Sequence, residues 1–269
     1  MSNPFLGLDH PPPSARLLAA ILEADGAPRA LETLRREDGG VRMFLGVRFG
    51  GGLDAADASA PAEMRVSLAR VAADSLLSDL AGEGLACYGL SAGAFSERAA
   101  AVSSWGGTLA ARTGGDTAAA FALGMLYRIG MVPVARMLAR VKPDVRIPAD
   151  RLAHQLTCER DEVRIDCLQA GARLLEMWGF PEFAVKAMRH QHHPMLHTGR
   201  RGVTLLLSVS AALGEAMCRG TPRAAVEAVP EPMLDELRLE RIALHDCSGA
   251  AEEGWQRLCA ASGAAVARV

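Results

Sequence analysis

The stretch from Asp161 to Pro194 reads DEVRIDCLQAGARLLEMWGFPEFAVKAMRHQHHP, and it decides the fold class. Its polar residues recur at spacings of three and four, which is the period of one face of an α-helix. The remaining positions are nearly all apolar, so the pattern predicts one long, largely buried helix up to Trp178. Gly179 predicts its end, and Pro181 predicts the start of the next helix. The polar stripe consists of Glu162, Asp166, Gln169, Arg173 and Glu176.

A cluster of histidines ends this stretch. Four of the seven histidines in the chain lie within eight residues, namely His190, His192, His193 and His197. Such a cluster after a buried helix is typical of a metal site. The alternative is a helix end with one inward histidine and solvated neighbours. Because Met188 and His192 are four residues apart, they are predicted to share a helix face, with His192 pointing inward.

The overall composition excludes several classes of protein. The chain has 269 residues, half of them hydrophobic, and a formal charge of −2, so no basic field favours a DNA partner. None of the six cysteines forms a CxxC pair, which favours a reducing, cytoplasmic compartment. The N-terminus does not resemble a signal peptide. No apolar run is expected to approach the roughly 18 to 20 residues that span a bilayer, so no membrane association is predicted.

The rest of the sequence also favours helices. It shows no internal repeat and no alternating strand pattern, and glycine-rich breaks separate its apolar segments, as at residues 50–61. The predicted class is therefore all-α. Besides the opening stretch, the predicted helices are 14–22, one near Pro28, 41–47, 63–80, 94–112, 117–130, 131–138, 149–157, 201–219 and two or three shorter ones after Pro222.

With these helices assigned, the sequence resembles the HDOD family, the HD-related output domain of bacterial signalling proteins. The resemblance implies one HDOD-like domain, in which residues 1–93 form an N-terminal helical lobe and residues 94–269 form an HD-like helical lobe. The segments that carry it are Pro12–Leu18, Glu37–Leu45, Trp105, Ala120–Gly130, Gly171–Pro181 and Arg189–Pro194.

Catalytic relatives bind divalent metal through a histidine, a His-Asp pair and further histidines downstream. This sequence differs from them at those positions. Gly107 stands at the position of the first histidine. Tyr127 and Arg128 replace the His-Asp pair, and Cys167 stands where another histidine is usual. Gln191 and His192 occupy the place of a His-His pair. The resemblance therefore implies a degenerate site, with no metal, no cofactor and no catalytic residue.

Arg128 brings a permanent positive charge to the place where metal chemistry needs a carboxylate. A divalent metal ion about 4 Å from the Arg128 guanidinium would be repelled by several kcal/mol, even at an effective dielectric near 20. We expect the guanidinium to pair with Asp166 or Glu162 and to substitute electrostatically for the metal.

The predicted function is a non-catalytic regulatory module of bacterial signal transduction. It is expected to act through an unidentified signalling protein or through a small ligand, with a nucleotide second messenger as one option. A polar cluster of Arg128, Asp166, His190, His192 and His193 is the candidate ligand-binding or structural site. Two alternatives stay open. One is a metal-dependent HD-type phosphohydrolase that uses His154, His190, His192 and His193; the other is a nucleotide sensor that uses Arg128, Arg164, Arg173 and Arg189.

Overall fold

The computed structural model describes residues 5, 7–23, 62–81, 85–148, 151–197 and 201–261. The all-α prediction is confirmed, because this part of the chain contains helices, turns and a single isolated bridge between Leu85 and Leu90. The α-helices found there are α1 (Pro13–Leu22), α2 (Ala62–Ala81), α3 (Ala92–Thr113), α4 (Thr117–Leu126), α5 (Met131–Val141), α6 (Leu152–Val163), α7 (Cys167–Met177), α8 (Glu182–His190), α9 (Gly202–Cys218), α10 (Pro222–Ala228), α11 (Glu231–Leu237) and α12 (Arg241–Ala261). Short 3-10 helices span Ala86–Tyr88 and Pro194–Leu196.

Three predicted features lie outside the described residues. They are the helix near Pro28, the helix at 41–47 and the loop at 50–61. The motif at Glu37–Leu45 lies outside them as well.

The single long helix predicted up to Trp178 is wrong, because the chain breaks between α6 and α7. Arg164 adopts a left-handed conformation with φ of 65°. The Asp166 side chain then accepts a hydrogen bond of 2.9 Å from the backbone N–H of Gln169 and caps α7. The polar residues keep helical spacing on both sides of this break, so the sequence pattern alone did not reveal it.

The ends of other helices also differ from the prediction. α6 runs to Val163, whereas its predicted counterpart ended at Thr157. The last helix, α12, has 21 residues and is not one of the shorter helices expected near the C-terminus. Gly179 does end the α7 segment, with φ of 74°, and Pro181 caps α8.

Two apolar clusters form the core. The first joins α1 and α2 with α4, α5, α7 and α8, and the second lies between α3 and the helices α9 to α12. α4 is buried from Ala118 to Leu126 and lies at the centre. Trp178 belongs to the first cluster and donates a hydrogen bond of 2.9 Å to the Leu8 carbonyl oxygen. The predicted lobe boundary at residue 93 remains a prediction, although the first cluster extends across it.

The turn between α4 and α5 lies very close to the start of α7. A Cβ atom at Gly130 would overlap the Cys167 carbonyl oxygen and the Gly171 amide nitrogen. Only a glycine therefore allows this approach. The contact fixes residues 127–130 against the first turn of α7.

One apolar segment is longer than the sequence pattern suggested. Residues Thr117–Val141 satisfy the length and hydropathy of a membrane span, so the expectation that no run would approach this length is wrong. The most apolar window of this segment is 100% buried inside the protein. Core helices of globular proteins have the same property, and here α4 and α5 serve as such a core.

Candidate functional site: a buried polar network

Four residues at the degenerate positions meet around the turn between α4 and α5. Tyr127 and Arg128 lie in the turn itself, and Cys167 begins α7. Gln191, just after α8, donates a 2.8 Å hydrogen bond to the Tyr127 carbonyl oxygen. Gln155 of α6 contacts both Arg128 and Cys167.

Arg128 is held between two polar partners. Its Nη1 donates a 2.6 Å hydrogen bond to Gln155 Oε1, and its Nη2 lies 3.1 Å from Glu215 Oε1. Only 6% of the residue is exposed. Burial acts to lower the pKa of the guanidinium, but the surrounding polar groups, among them the Glu215 carboxylate, raise it above its ordinary value. Arg128 is therefore a fixed positive charge inside the protein.

Glu215 of α9 collects several donors. The Tyr127 hydroxyl donates a 2.7 Å hydrogen bond to Oε1. Arg219 Nη1 lies 3.4 Å from Oε2, and Arg98 Nη1 lies 3.7 Å from the same oxygen. Burial, followed by the negative charge of Glu215, raises the pKa of Tyr127 well above its ordinary value, so this hydroxyl stays protonated and donates.

On the other side of Arg128 lies a second buried carboxyl group, that of Glu159. Its Oε1 accepts hydrogen bonds of 2.7 Å from Gln155 Nε2 and 2.8 Å from the Tyr88 hydroxyl. Its Oε2 accepts a 2.6 Å hydrogen bond from the Cys167 backbone N–H. Burial raises the pKa of Glu159, although these hydrogen bonds act in the opposite direction.

These contacts form one continuous chain of hydrogen bonds and ion pairs. We call it the buried polar network; its members are Tyr88, Tyr127, Arg128, Gln155, Glu159 and Glu215. It connects the loop before α3 with α6, α9 and the turn after α4. Interior groups that satisfy one another in this way hold a defined arrangement, because leaving any of them unpaired is unfavourable.

The predicted partners of Arg128 were wrong. Asp166 caps α7 and pairs with Arg160 at 2.9 Å. Glu162 pairs with Lys142 at 2.7 Å on the surface. Both carboxylates are therefore paired with other residues.

Gly107 does not lie at the network. A Cβ atom at this position would contact Thr117 and Phe121, near the start of α4. Arg128 follows the opposite end of α4, about 15 Å away at 1.5 Å of rise per residue. The assignment of Gly107 to a degenerate position stays a prediction, and its contacts lie at the other end of α4 from Arg128.

His192 is not the inward residue. It is half-buried, whereas Gln191 is only 4% exposed and points into the protein. The prediction assumed that Met188 and His192 share a helix face, but α8 ends at His190. The turn that follows rotates Gln191 inward in place of His192.

The residues from His190 to His197 form what we call the histidine segment. The rings of His190 and His197 stack at 5.4 Å between centroids, and those of His192 and His193 lie 4.3 Å apart. His197 is buried, with Nδ1 2.8 Å from Thr204 Oγ1. Burial, followed by the neighbouring histidine, lowers the pKa of His190 and of His192, which favours neutral rings near pH 7.

These side chains do not fit a divalent metal centre. Among the described residues, no three His, Cys, Asp or Glu side chains come close enough together to hold a metal ion. His154, which the alternative metal site would need, is exposed. At the degenerate positions, the groups that meet are a phenol, a guanidinium, an amide and a thiol whose pKa burial raises well above its ordinary value. Divalent cations need deprotonated, convergent ligands, and Arg128 opposes their charge.

Two clefts lie next to the network. The alanine-walled cleft has a volume of about 600 Å³ and is lined in part by Arg128, Gln191 and Glu215. The histidine cleft has a volume of about 980 Å³ and is lined in part by Asp166, His190 and His193. His192 lines both clefts, so the predicted polar cluster is divided between them.

The four arginines of the predicted nucleotide sensor also separate. Arg128 lines the alanine-walled cleft, while Arg173 and Arg189 line the histidine cleft together with Arg160. Arg164 is exposed at the end of α6. Arg173 additionally stacks over the Phe5 ring at 5.2 Å.

Sequence reasoning missed Gln155, Glu159 and Glu215. A signal existed for Glu215, because it is a lone charged residue in the apolar helix α9, as Arg128 is after the apolar helix α4. Gln155 and Glu159 are four residues apart and share one face of α6. The predicted helix ended before Glu159, so this pair was not recognised.

The described part of the chain is all-helical, and the buried polar network lies around the turn between α4 and α5. Residues 67–194 match the family model of the HDOD domain. The HDOD resemblance is therefore confirmed over residues 67–194. This match covers every residue of the buried polar network except Glu215.

A solved structure shares the fold. The protein is named "Putative phosphohydrolase" and comes from Shewanella amazonensis SB2B. It aligns with a TM-score of 0.57 and 18% sequence identity over 96% of this chain and 98% of its own. At this identity the similarity concerns the fold alone. No curated protein matches the chain.

Proposed function

We propose that this protein is a non-catalytic regulatory module of bacterial signal transduction, acting in the cytoplasm through contacts with a signalling protein or through a small ligand. The observation that carries the proposal is the position of Arg128 between Gln155 and Glu215. In a catalytic relative, this place would need negative or neutral ligands for a metal. Here a permanent cation is built in, and its counter-charge comes from the protein itself.

The physical argument concerns charge as well as missing ligands. A divalent ion about 4 Å from Arg128 would be repelled by several kcal/mol at an effective dielectric near 20. Glu215 cannot serve both the guanidinium and a metal, because Tyr127, Arg98 and Arg219 already lie around it. The network supports an interior that is stable without a metal, as a scaffold for signalling requires.

A nucleotide sensor is the second candidate, because three arginines line the histidine cleft. Arg160, Arg173 and Arg189 surround a volume of about 980 Å³ together with half-buried histidines. Guanidinium groups bind phosphate in two-pronged hydrogen bonds. Thermal-shift measurements with cyclic dinucleotides and alarmones would test this candidate, and a specific shift abolished by Arg189→Gln would favour it.

The main proposal is tested by metal analysis and by phosphodiester hydrolysis. The protein is purified, loaded separately with Mn²⁺, Fe²⁺ and Mg²⁺, and assayed with bis(p-nitrophenyl) phosphate. We expect less than stoichiometric metal and no metal-dependent hydrolysis above that of a His190→Ala, His192→Ala double variant. Stoichiometric metal together with hydrolysis that this variant loses would overturn the proposal and favour the metal-dependent phosphohydrolase.

A further inference from the structure

The alanine-walled cleft has the size and the lining of a small-molecule site. Its volume of about 600 Å³ lies within the usual range for ligand pockets, which is roughly 300 to 1,000 Å³. Small side chains form much of its wall, among them the exposed residues Ala212, Ala224 and Ala228. Their size leaves the space between α9 and α10 open.

The charges at the cleft are unequal. Three guanidinium groups meet the single carboxylate of Glu215, namely those of Arg128 at 3.1 Å, Arg219 at 3.4 Å and Arg98 at 3.7 Å. Arg128 is buried and lines the cleft, whereas Arg219 is half exposed at its edge. Arg151 also lines the cleft and adds a further positive charge at the rim.

The buried acid Glu159 does not restore the balance. Glu159 is separated from Arg128 by the Gln155 amide. Burial raises the pKa of Glu159, which favours its neutral form. An excess of positive charge in a partly closed, largely apolar space attracts an anion more strongly than the same charges would in open water.

We propose that the alanine-walled cleft binds a small organic anion with a compact apolar body, which is either a carboxylate or a phosphate monoester. The acidic group faces Arg128 and Arg151, and the apolar body lies against the alanines with Leu152, Val209 and Met233. This inference rests on the proposed function, since it identifies the chemical class of the small ligand through which the module would act.

The test is calorimetry on the full chain with four probes at up to millimolar concentration. Benzoate and phenyl phosphate carry both an acidic group and a ring, benzyl alcohol carries only the ring, and acetate carries only the acid. We expect benzoate or phenyl phosphate to bind. Benzyl alcohol should bind about tenfold more weakly, because charge-assisted hydrogen bonds are roughly twice as strong as neutral ones. Acetate should not bind measurably.

Matched variants locate the binding. Ala212→Leu places a larger side chain into the cleft from an exposed helix position and should lower the affinity for the anion by about tenfold. Ala153→Leu makes the same change at an exposed alanine that lines the histidine cleft, and it should have no effect. Arg151→Gln should weaken binding by about fivefold, which is the range of a partly exposed charge pair. Arg189→Gln, in the histidine cleft, is its control.

The outcomes separate the two proposals. Binding that Ala212→Leu and Arg151→Gln weaken, with both controls unchanged, supports the anion site, and the tighter probe identifies the acidic group. No binding of either acid, equal binding of benzyl alcohol, or equal loss in the controls would overturn the anion site and leave the regulatory proposal intact. Metal-dependent cleavage of phenyl phosphate would instead overturn the regulatory proposal.

Discussion

The buried polar network and the histidine segment lie side by side but are built in opposite ways. The network is made of residues far apart in sequence, such as Tyr127 and Glu215, that meet in the interior with short hydrogen bonds. The histidine segment is made of neighbours in sequence that mostly face a cleft or solvent. Residue type made the histidines conspicuous. Convergence of polar groups, which decides whether a site exists, is found at the network.

The largest effect on stability is expected from a change at Arg128 in the buried polar network. Arg128→Ala removes the buried ion pair with Glu215 and the hydrogen bond to Gln155, so we expect the free energy of unfolding to fall by about 3 to 5 kcal/mol. For a chain of this size, the melting temperature should fall by roughly 10 °C. Urea unfolding and calorimetry measure both quantities.

A double variant distinguishes charge pairing from packing at Arg128. Arg128→Met combined with Glu215→Met removes both charges, so it should be less destabilised than Arg128→Ala. Equal destabilisation of the two would show that Arg128 contributes packing and not charge pairing. A neutral Arg128→Ala variant would remove the electrostatic role altogether.

The second prediction concerns the glycine that holds the network turn against α7. In Gly130→Ala, the added methyl group pushes the Cys167 carbonyl and Gly171 away from the turn. We therefore expect a loss of about 1 to 3 kcal/mol in the free energy of unfolding. Gly249→Ala is the matched control, because its Cβ would meet open space on α12. This control should gain about 0.5 to 1 kcal/mol, and equal effects of the two changes would contradict the close approach.

The third prediction is a pH dependence due to Glu159. Because burial raises its pKa, the folded protein binds this proton more tightly than the unfolded chain does. Its contribution to stability is therefore fully present below the ordinary carboxyl pKa of 4.5 and is lost as pH rises through the folded-state pKa. Relative to Glu159→Gln, the wild type should lose stability as pH rises above 4.5, which is measured as a falling melting temperature. Glu176→Gln, an exposed change, should follow the wild type at every pH.

The smallest effect is expected in the histidine segment. His193 is exposed, and its contact with His192 lies at the surface. His193→Ala should change the free energy of unfolding by less than about 0.5 kcal/mol in either direction. A loss comparable to that of Arg128→Ala, measured in the same urea titration, would mean that the histidine segment and the network are equally structural.

Much of the fold was predictable because its signals are local. Apolar spacing identified α3, α4, α5 and α9 to within a few residues, and Gly179 with Pro181 identified the join between α7 and α8. The missed break at Arg164 had a local cause, the Asp166 cap, but the helical period on both sides obscured it. Gln191 replaced His192 as the inward residue because helix ends depend on one or two residues that periodicity does not resolve.

The sequence by itself determined the all-helical class and the HDOD resemblance, since both depend on residue identity and short-range spacing. Only the tertiary structure decided which polar groups meet. Tyr88 and Glu159 are 71 residues apart, and Tyr127 and Glu215 are 88 apart, yet each pair shares a buried hydrogen bond. Helix packing decides which polar groups lie close together. A buried cation therefore pairs with the carboxylate that this packing places beside it.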